Sequence, residues 1–149
     1  MAKTKEKLTI GRSERIDLPE LKLYDLNAKI DTGAYGSAIH CHHIEVVKIR
    51  GKEVLRFDLL DPSHPHYEKK FFRFRNFKIK RVRNSFGQTE KRYTIQAKVK
   101  IGQRLLNTEF SLTDRSEMKY PVLIGRKFIQ QGFIVDVTKR NQLSKSKRK

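Results

Sequence analysis

The chain has 149 residues, with 34 Lys and Arg against 16 Asp and Glu and a formal charge of +18; this length fits one domain with a real core, and this charge calls for acidic partners. The single cysteine excludes an intrachain disulfide and suits a reducing cytoplasm. No apolar run is long enough to span a bilayer, and the opening MAKTKEKLTIG lacks the apolar centre of an export signal.

Residues 1–9 read as a basic arm, residues 10–138 as the domain, and residues 139–149, KRNQLSKSKRK, as a basic disordered tail that can touch RNA or the ribosome. Leu8 to Leu18 reads as a strand stopped at Pro19, and Leu21 to Ile30 as a second, with Leu26, Ala28 and Ile30 alternating. Glu45–Arg50 and Glu53–Leu60 flank Gly51-Lys52 as a hairpin. Asp61 to Lys70 is turn-rich. In FFRFRNFKIKRVRN the apolar–basic alternation slips phase at Asn76, which predicts a bulge or two short strands. Tyr93 to Ile101 alternates throughout and turns at Gly102-Gln103 into a return strand ending near Leu112. Val122-Leu123-Ile124 is a short apolar strand ended by Gly125. Arg126 to Gln131 is one or two helical turns, and Phe133 to Val137 closes the domain as a strand. The fold class expected is mainly β, a closed or semi-closed barrel with one short helix near the C-terminus.

The stretch AKIDTGAYGSAIHCHH, Ala28 to His43, raises the question of chemistry. Asp31 ends an apolar strand, and Gly33 lets the backbone turn tightly beside it. Taken alone, Asp-Thr-Gly is equally a turn or a cap. The run IDTGAYGSAI resembles the active-site loop of retropepsin-like aspartic proteases, and VLIGRKFI some ninety residues on is similar to the strand that packs beside that loop. Together with RVRNSFGQTEKRYTI, SLTDRSEMKYPVLIGR and FIVDV, these segments resemble a bacterial and archaeal family of retropepsin-like fold, the RimB-like proteins, also known as ATP-dependent zinc proteases. The chain departs from the family pattern at Tyr35-Gly36, at Cys41 and at Phe86.

The resemblance implies an aspartic peptidase. Asp31 is its catalytic carboxylate, with Thr32 and Gly33 completing the loop, Ala34, Ser37 and His40 supporting loop or substrate, and Leu123, Ile124, Gly125 and Arg126 forming the second motif. Water activation takes two carboxylates sharing a proton. One Asp-Thr-Gly per chain therefore implies a homodimer with one Asp31 from each subunit. Asp58, Asp61, Asp114 and Asp136 are the other aspartates weighed as partners; Asp114 is read as pairing with Arg115, and Asp136 as capping locally. The implied substrate is an acidic or poly-glutamate-modified protein tail, such as that of a small-subunit ribosomal protein. Arg81, Arg83, Arg92, Arg115 and Arg126 are its expected readers, because guanidinium groups bind carboxylates bidentately. Two alternatives are a zinc site built on His40 and His42 with His64 and His66 from the loop, and an RNA-binding module that stacks bases on the phenylalanines between basic residues. Neither an HExxH helix, nor paired cysteines, nor a GxxxxGK loop occurs, so no metal and no nucleotide cofactor is expected.

Overall fold

A computed structural model describes residues 6–59, 71–83, 86–113 and 120–143. The strands are β1 (Leu8–Ile10), β2 (Ser13–Leu18), β3 (Leu23–Ile30), β4 (Ser37–Ile49), β5 (Lys52–Leu59), β6 (Phe71–Phe74), β7 (Lys78–Arg83), β8 (Thr89–Ile101), β9 (Arg104–Thr113), β10 (Val122–Ile124) and β11 (Phe133–Val135). Among the described residues, a 3-10 turn at Pro19–Leu21 and one helix, α1 (Arg126–Ile129), are the helical pieces. The expected mainly β fold with one short helix is what forms.

The largest sheet runs β10-β3-β2-β8-β9-β4-β5-β6, with β7 added on β8. β10 also pairs with β4, so the pairing wraps back on itself there. β5 and β6 carry the sheet beyond that point rather than shutting it as a barrel. The β8–β9 hairpin shows why alternation was a good guide. Ile95, Ala97, Val99 and Ile101 are buried while Gln96, Lys98 and Lys100 face water, and Phe110 and Leu112 bury the matching face of β9. Phe57 stacks on both Phe72 and Phe74 at ring distances of 6.2 and 5.7 Å, which holds β6 on β5. The sheet breaks between Phe74 and Lys78, where the phase slips in the sequence.

Three elements differ from expectation. The first strand is two: β1 pairs in parallel with β11, and β2 turns away to pair with β3. Gly11 marks the break, where an added Cβ would lie 2.3 Å from the Lys139 carbonyl oxygen; two backbones cross there. β4 is longer than the expected hairpin arm and begins at Ser37, so His40, Cys41, His42 and His43 all lie within one strand. The chain also stays on the domain past residue 138. The Arg12 amide donates to the Lys139 carbonyl at 2.8 Å and the Asn141 amide to the Ser13 carbonyl at 2.8 Å, while Leu143 packs on the core. Asp136 binds locally, accepting from the Thr138 hydroxyl at 2.6 Å and amide at 3.0 Å. The Thr138 hydroxyl and amide hold its carboxyl below the usual range.

The β7–β8 ladder sets Lys80 opposite Arg92 and Arg81 opposite Lys91. Like charges directly opposite each other destabilise a sheet. Glu109 on β9 relieves part of this, accepting from the Lys80 ammonium at 2.6 Å, with the Lys78 ammonium 4.0 Å away. The Lys80 hydrogen bond holds the Glu109 carboxyl below its ordinary range, against the opposing effect of burial. A depressed carboxylate pKa stabilises the fold fully above the unfolded value of about 4.3, and that stability is lost as the pH falls through the folded value. Glu109→Gln is expected to remove this part of the acid limb: melting temperatures of variant and wild type converge toward about pH 3 and diverge toward about pH 6. Parallel curves over that range would contradict the assignment.

Candidate functional site at the Asp31 turn

β10 is the element that builds the site. Its three apolar residues lie between two strands, parallel to β3 with Ile124 opposite Ile30, and antiparallel to β4 with Leu123 opposite Ala38. A strand flanked on both sides reads as a continuous apolar run. The turn between β3 and β4, residues 31–36, is thereby seated on the end of β10. The Asp31 amide donates to the Ile124 carbonyl at 2.8 Å, the Arg126 amide to the Ala34 carbonyl at 2.8 Å, and the Lys127 amide to the Tyr35 carbonyl at 2.9 Å. The Gly125 amide donates to the buried Ser37 hydroxyl at 3.1 Å.

Asp31 is half-buried at the end of β3, and its Oδ1 accepts the Gly33 amide at 2.9 Å. It opens on a cavity of about 330 Å³ whose other walls include Ser37, Leu123, Arg92, Ser111 and Thr113. Thr32 and Gly33 are exposed. The Thr32 carbonyl accepts the Arg126 guanidinium at 3.0 Å, and that guanidinium also lies 5.8 Å from the Tyr35 ring centre. Arg126 therefore clamps the turn. Arg92 reaches the cavity from β8 and is oriented by Glu90, to which it donates at 2.9 and 3.2 Å. A second cavity of about 330 Å³ shares Tyr35, Gly36, Ser37 and Ser111 with the first and continues to Lys80, Glu109 and Lys127.

The sequence-predicted residues separate into groups. Asp31, Ala34, Ser37, Leu123 and Arg92 come together at the cavity, with Gly125 and Ile124 directly beneath the turn. Arg81 and Arg83 sit exposed on β7 and do not line it. His40 is buried, its amide donating to the Pro121 carbonyl at 2.9 Å and its ring edge-on to His42 at 4.7 Å. Arg115, Asp61, Asp114, His64 and His66 lie outside the described residues. Ser111 and Thr113 were missed, because a return strand of a hairpin carries no sign of which neighbour it will face. Among the described residues, no three His, Cys, Asp or Glu side chains are grouped to hold a metal ion, and no helix is long and apolar enough to cross a membrane.

Comparison with known proteins adds two kinds of finding. Residues 9–146 match the RimB-like family model, described as the retropepsin-like aspartic endopeptidase RimB. The chain is also similar to two curated proteins named probable alpha-L-glutamate ligase. It is 31% identical to that of Shewanella pealeana over 87% of this chain, and 29% identical to that of Parasynechococcus marenigrum over 92%. It spans only 28% and 29% of the length of those relatives. Among solved structures, it is similar to a Legionella pneumophila protein of unknown function, with a TM-score of 0.70 and 25% identity, over 91% of this chain and 98% of that one.

The ligase name overturns the expectation of an aspartic peptidase, and with it the protease and hydrolase assignment. A ligase joins glutamate where a peptidase would use water to release it. The zinc-protease alternative, a hydrolase as well, is overturned by the same name.

Proposed function

Because the chain belongs to the RimB-like family of retropepsin-like proteins, we propose that it uses that fold as the glutamate-recognition module of an alpha-L-glutamate ligase system. It holds the glutamate-bearing end of an acidic protein tail in the Asp31 cavity. The joining step corresponds to the part of those relatives' length that this chain does not span. The reading is supported by one observation above all: a carboxylate and a guanidinium, Asp31 and Arg92, share a small cavity with the hydroxyl residues Ser111 and Thr113.

That set of groups suits an acidic amino-acid residue. Arg92 takes a ligand carboxylate through its planar fork. Asp31 accepts from the ligand's ammonium or amide N–H. Its Oδ1 is steadied by Gly33, and Arg126 keeps the turn from opening. The charge of +18 speeds the encounter with an acidic tail in the reducing cytoplasm, where we place the module.

The test is isothermal titration of the full chain with a peptide ending in one glutamate and with its glutamine counterpart. The wild type is expected to prefer the glutamate peptide. Arg92→Ala should weaken that binding roughly 10-fold, the equivalent of about 1.4 kcal/mol, and Asp31→Asn should weaken it as well. Equal affinity for both peptides would sink the reading. So would cleavage of the peptide by the chain alone that Asp31→Asn abolishes.

A further inference from the structure

The β7–β8 ladder leaves one electrostatic conflict unrelieved. Residues directly opposite in an antiparallel pair share a face of the sheet, as do alternate residues along a strand. Arg81, Arg83 and Lys91 therefore stand on one side of the ribbon, and Lys80, Arg92 and Glu90 on the other. On the second side acids meet the cations: Glu109 pairs with Lys80 and Glu90 with Arg92. On the first side Arg81, Arg83 and Lys91 are exposed, and no carboxylate among the described residues pairs with any of the three. Opposite Cα atoms lie about 4.5–5.5 Å apart and alternate ones on a strand about 6.8 Å apart. Both spacings fall within the screening length of about 8 Å at physiological ionic strength, so the three charges repel one another. Charge on an edge strand deters stray pairing, but that use does not call for two cations set directly opposite each other.

The ribbon also stands clear of the core. On this side of β8, Ile95, Ala97 and Val99 are buried, whereas residues 86–91 are all exposed. We propose that the Arg81–Arg83–Lys91 side of the ribbon binds the phosphate backbone of single-stranded RNA, separately from the Asp31 cavity. The guanidinium forks of Arg81 and Arg83 take phosphate oxygens in pairs, and Lys91 adds a point charge. The bound strand supplies the negative charge that the fold leaves off this face. A long polyanion suits the chain better than a short acidic tail does, because a charge of +18 exceeds what a few carboxylates offset. Base stacking on the phenylalanines of β6 plays no part, since Phe72 and Phe74 are stacked on Phe57. The contact is to phosphate, so it is indifferent to base sequence.

The experiment measures binding of the full chain to a polyuridine oligomer by fluorescence anisotropy over a salt series. Each phosphate neutralised on a single strand adds about 0.7 to the slope of log affinity against log salt. Arg81→Ala, Arg83→Ala and Lys91→Ala should each lower that slope by about 0.7, and the triple variant by about 2. Lys52→Ala, at an exposed cation on β5, should leave it unchanged. Arg81→Ala and Lys91→Ala also remove like-charge repulsion. Each should therefore melt slightly above wild type at low salt, with the gain gone in 1 M salt, where screening acts over about 3 Å. A triple variant with the wild-type slope overturns the proposal. So does an equal loss of slope in Lys52→Ala, which would mark attraction to the whole charged surface. Poly-glutamate of matched charge, bound as tightly and with the same losses, overturns it in favour of an acidic protein partner. One-glutamate peptide binding at physiological salt should be unchanged in the triple variant, and its loss would overturn the separation of the two surfaces.

Discussion

Gly125→Ala is expected to destabilise the fold by on the order of 3 kcal/mol and to abolish glutamate-peptide binding. An alanine Cβ at that position would lie 2.2 Å from the carbonyl oxygen of Gly36 and 2.7 Å from its carbon. Both are backbone atoms, so no rotamer change relieves the overlap. The turn over residues 31–36 would have to lift off β10, losing the Gly125 to Ser37 hydrogen bond and the backbone bonds from Asp31 and Arg126. Overpacking of this kind typically costs about 1–3 kcal/mol, and lost buried hydrogen bonds add to it. Gly36→Ala is the matched control. Its added Cβ meets nothing within 4 Å, so the change should stay within about 0.5 kcal/mol, as for an open surface site. Urea unfolding of the three proteins measures both, as midpoint shifts at constant slope. A Gly125→Ala midpoint equal to that of Gly36→Ala would show that the turn does not rest on β10 as described.

Glu14 is the second position with a large expected effect. Its carboxylate is buried on β2. One oxygen accepts the amides of Gly11 at 2.9 Å and Gln142 at 2.7 Å, and the other accepts the Leu143 amide at 3.0 Å. One side chain thus satisfies three backbone donors from two segments that are far apart in the chain. Glu14→Ala strands all three. With about 1–3 kcal/mol for each donor left unpaired in the interior, and some relief from water, a loss of at least about 3 kcal/mol is expected. Glu14→Gln keeps the shape but points an NH2 at one amide, so it should lose about half as much. Hydrogen exchange at Gln142 and Leu143 provides a local reading. Protection should collapse in the alanine variant, and unchanged exchange there would refute the strap.

Much of the architecture was legible because it follows from short-range pattern. The period-two alternation of Tyr93–Ile101 marked β8, and the three apolar residues ahead of Gly125 marked β10. The phase slip at Asn76 marked the gap between β6 and β7. Asp31 was legible as the end of a strand, and the need for glycine at 125 as part of a motif. The rest depends on partners distant in sequence. Nothing near Gly11 reveals that Lys139 will cross it, and nothing in HCHH reveals that the third histidine falls in a bulge opposite Asp58. His40 and His42 were read as sharing one face, and their rings do meet there at 4.7 Å, with His40 buried. Arg81 and Arg83 looked like substrate readers by type, but the register of β7 leaves them on a strand that does not reach the Asp31 cavity. The activity was the hardest to read. Asp-Thr-Gly in this setting resembles a peptidase loop, yet the shape of a turn does not determine what is done with the carboxylate it holds.

The position of β10 has a bearing on the order in which the molecule is made. The strands it joins, β3 and β4, leave the ribosome long before Val122 does, and the Asp31 turn has no seat until that segment arrives. Contacts of such long sequence separation form late, since their loop entropy is lost before they return anything. A nascent chain halted before Pro121 would expose the sides of β3 and β4 that β10 covers, and would lack the wall that Leu123 gives the Asp31 cavity. The Asp31 cavity is therefore complete only once Val122–Ile124 has emerged and paired with both strands.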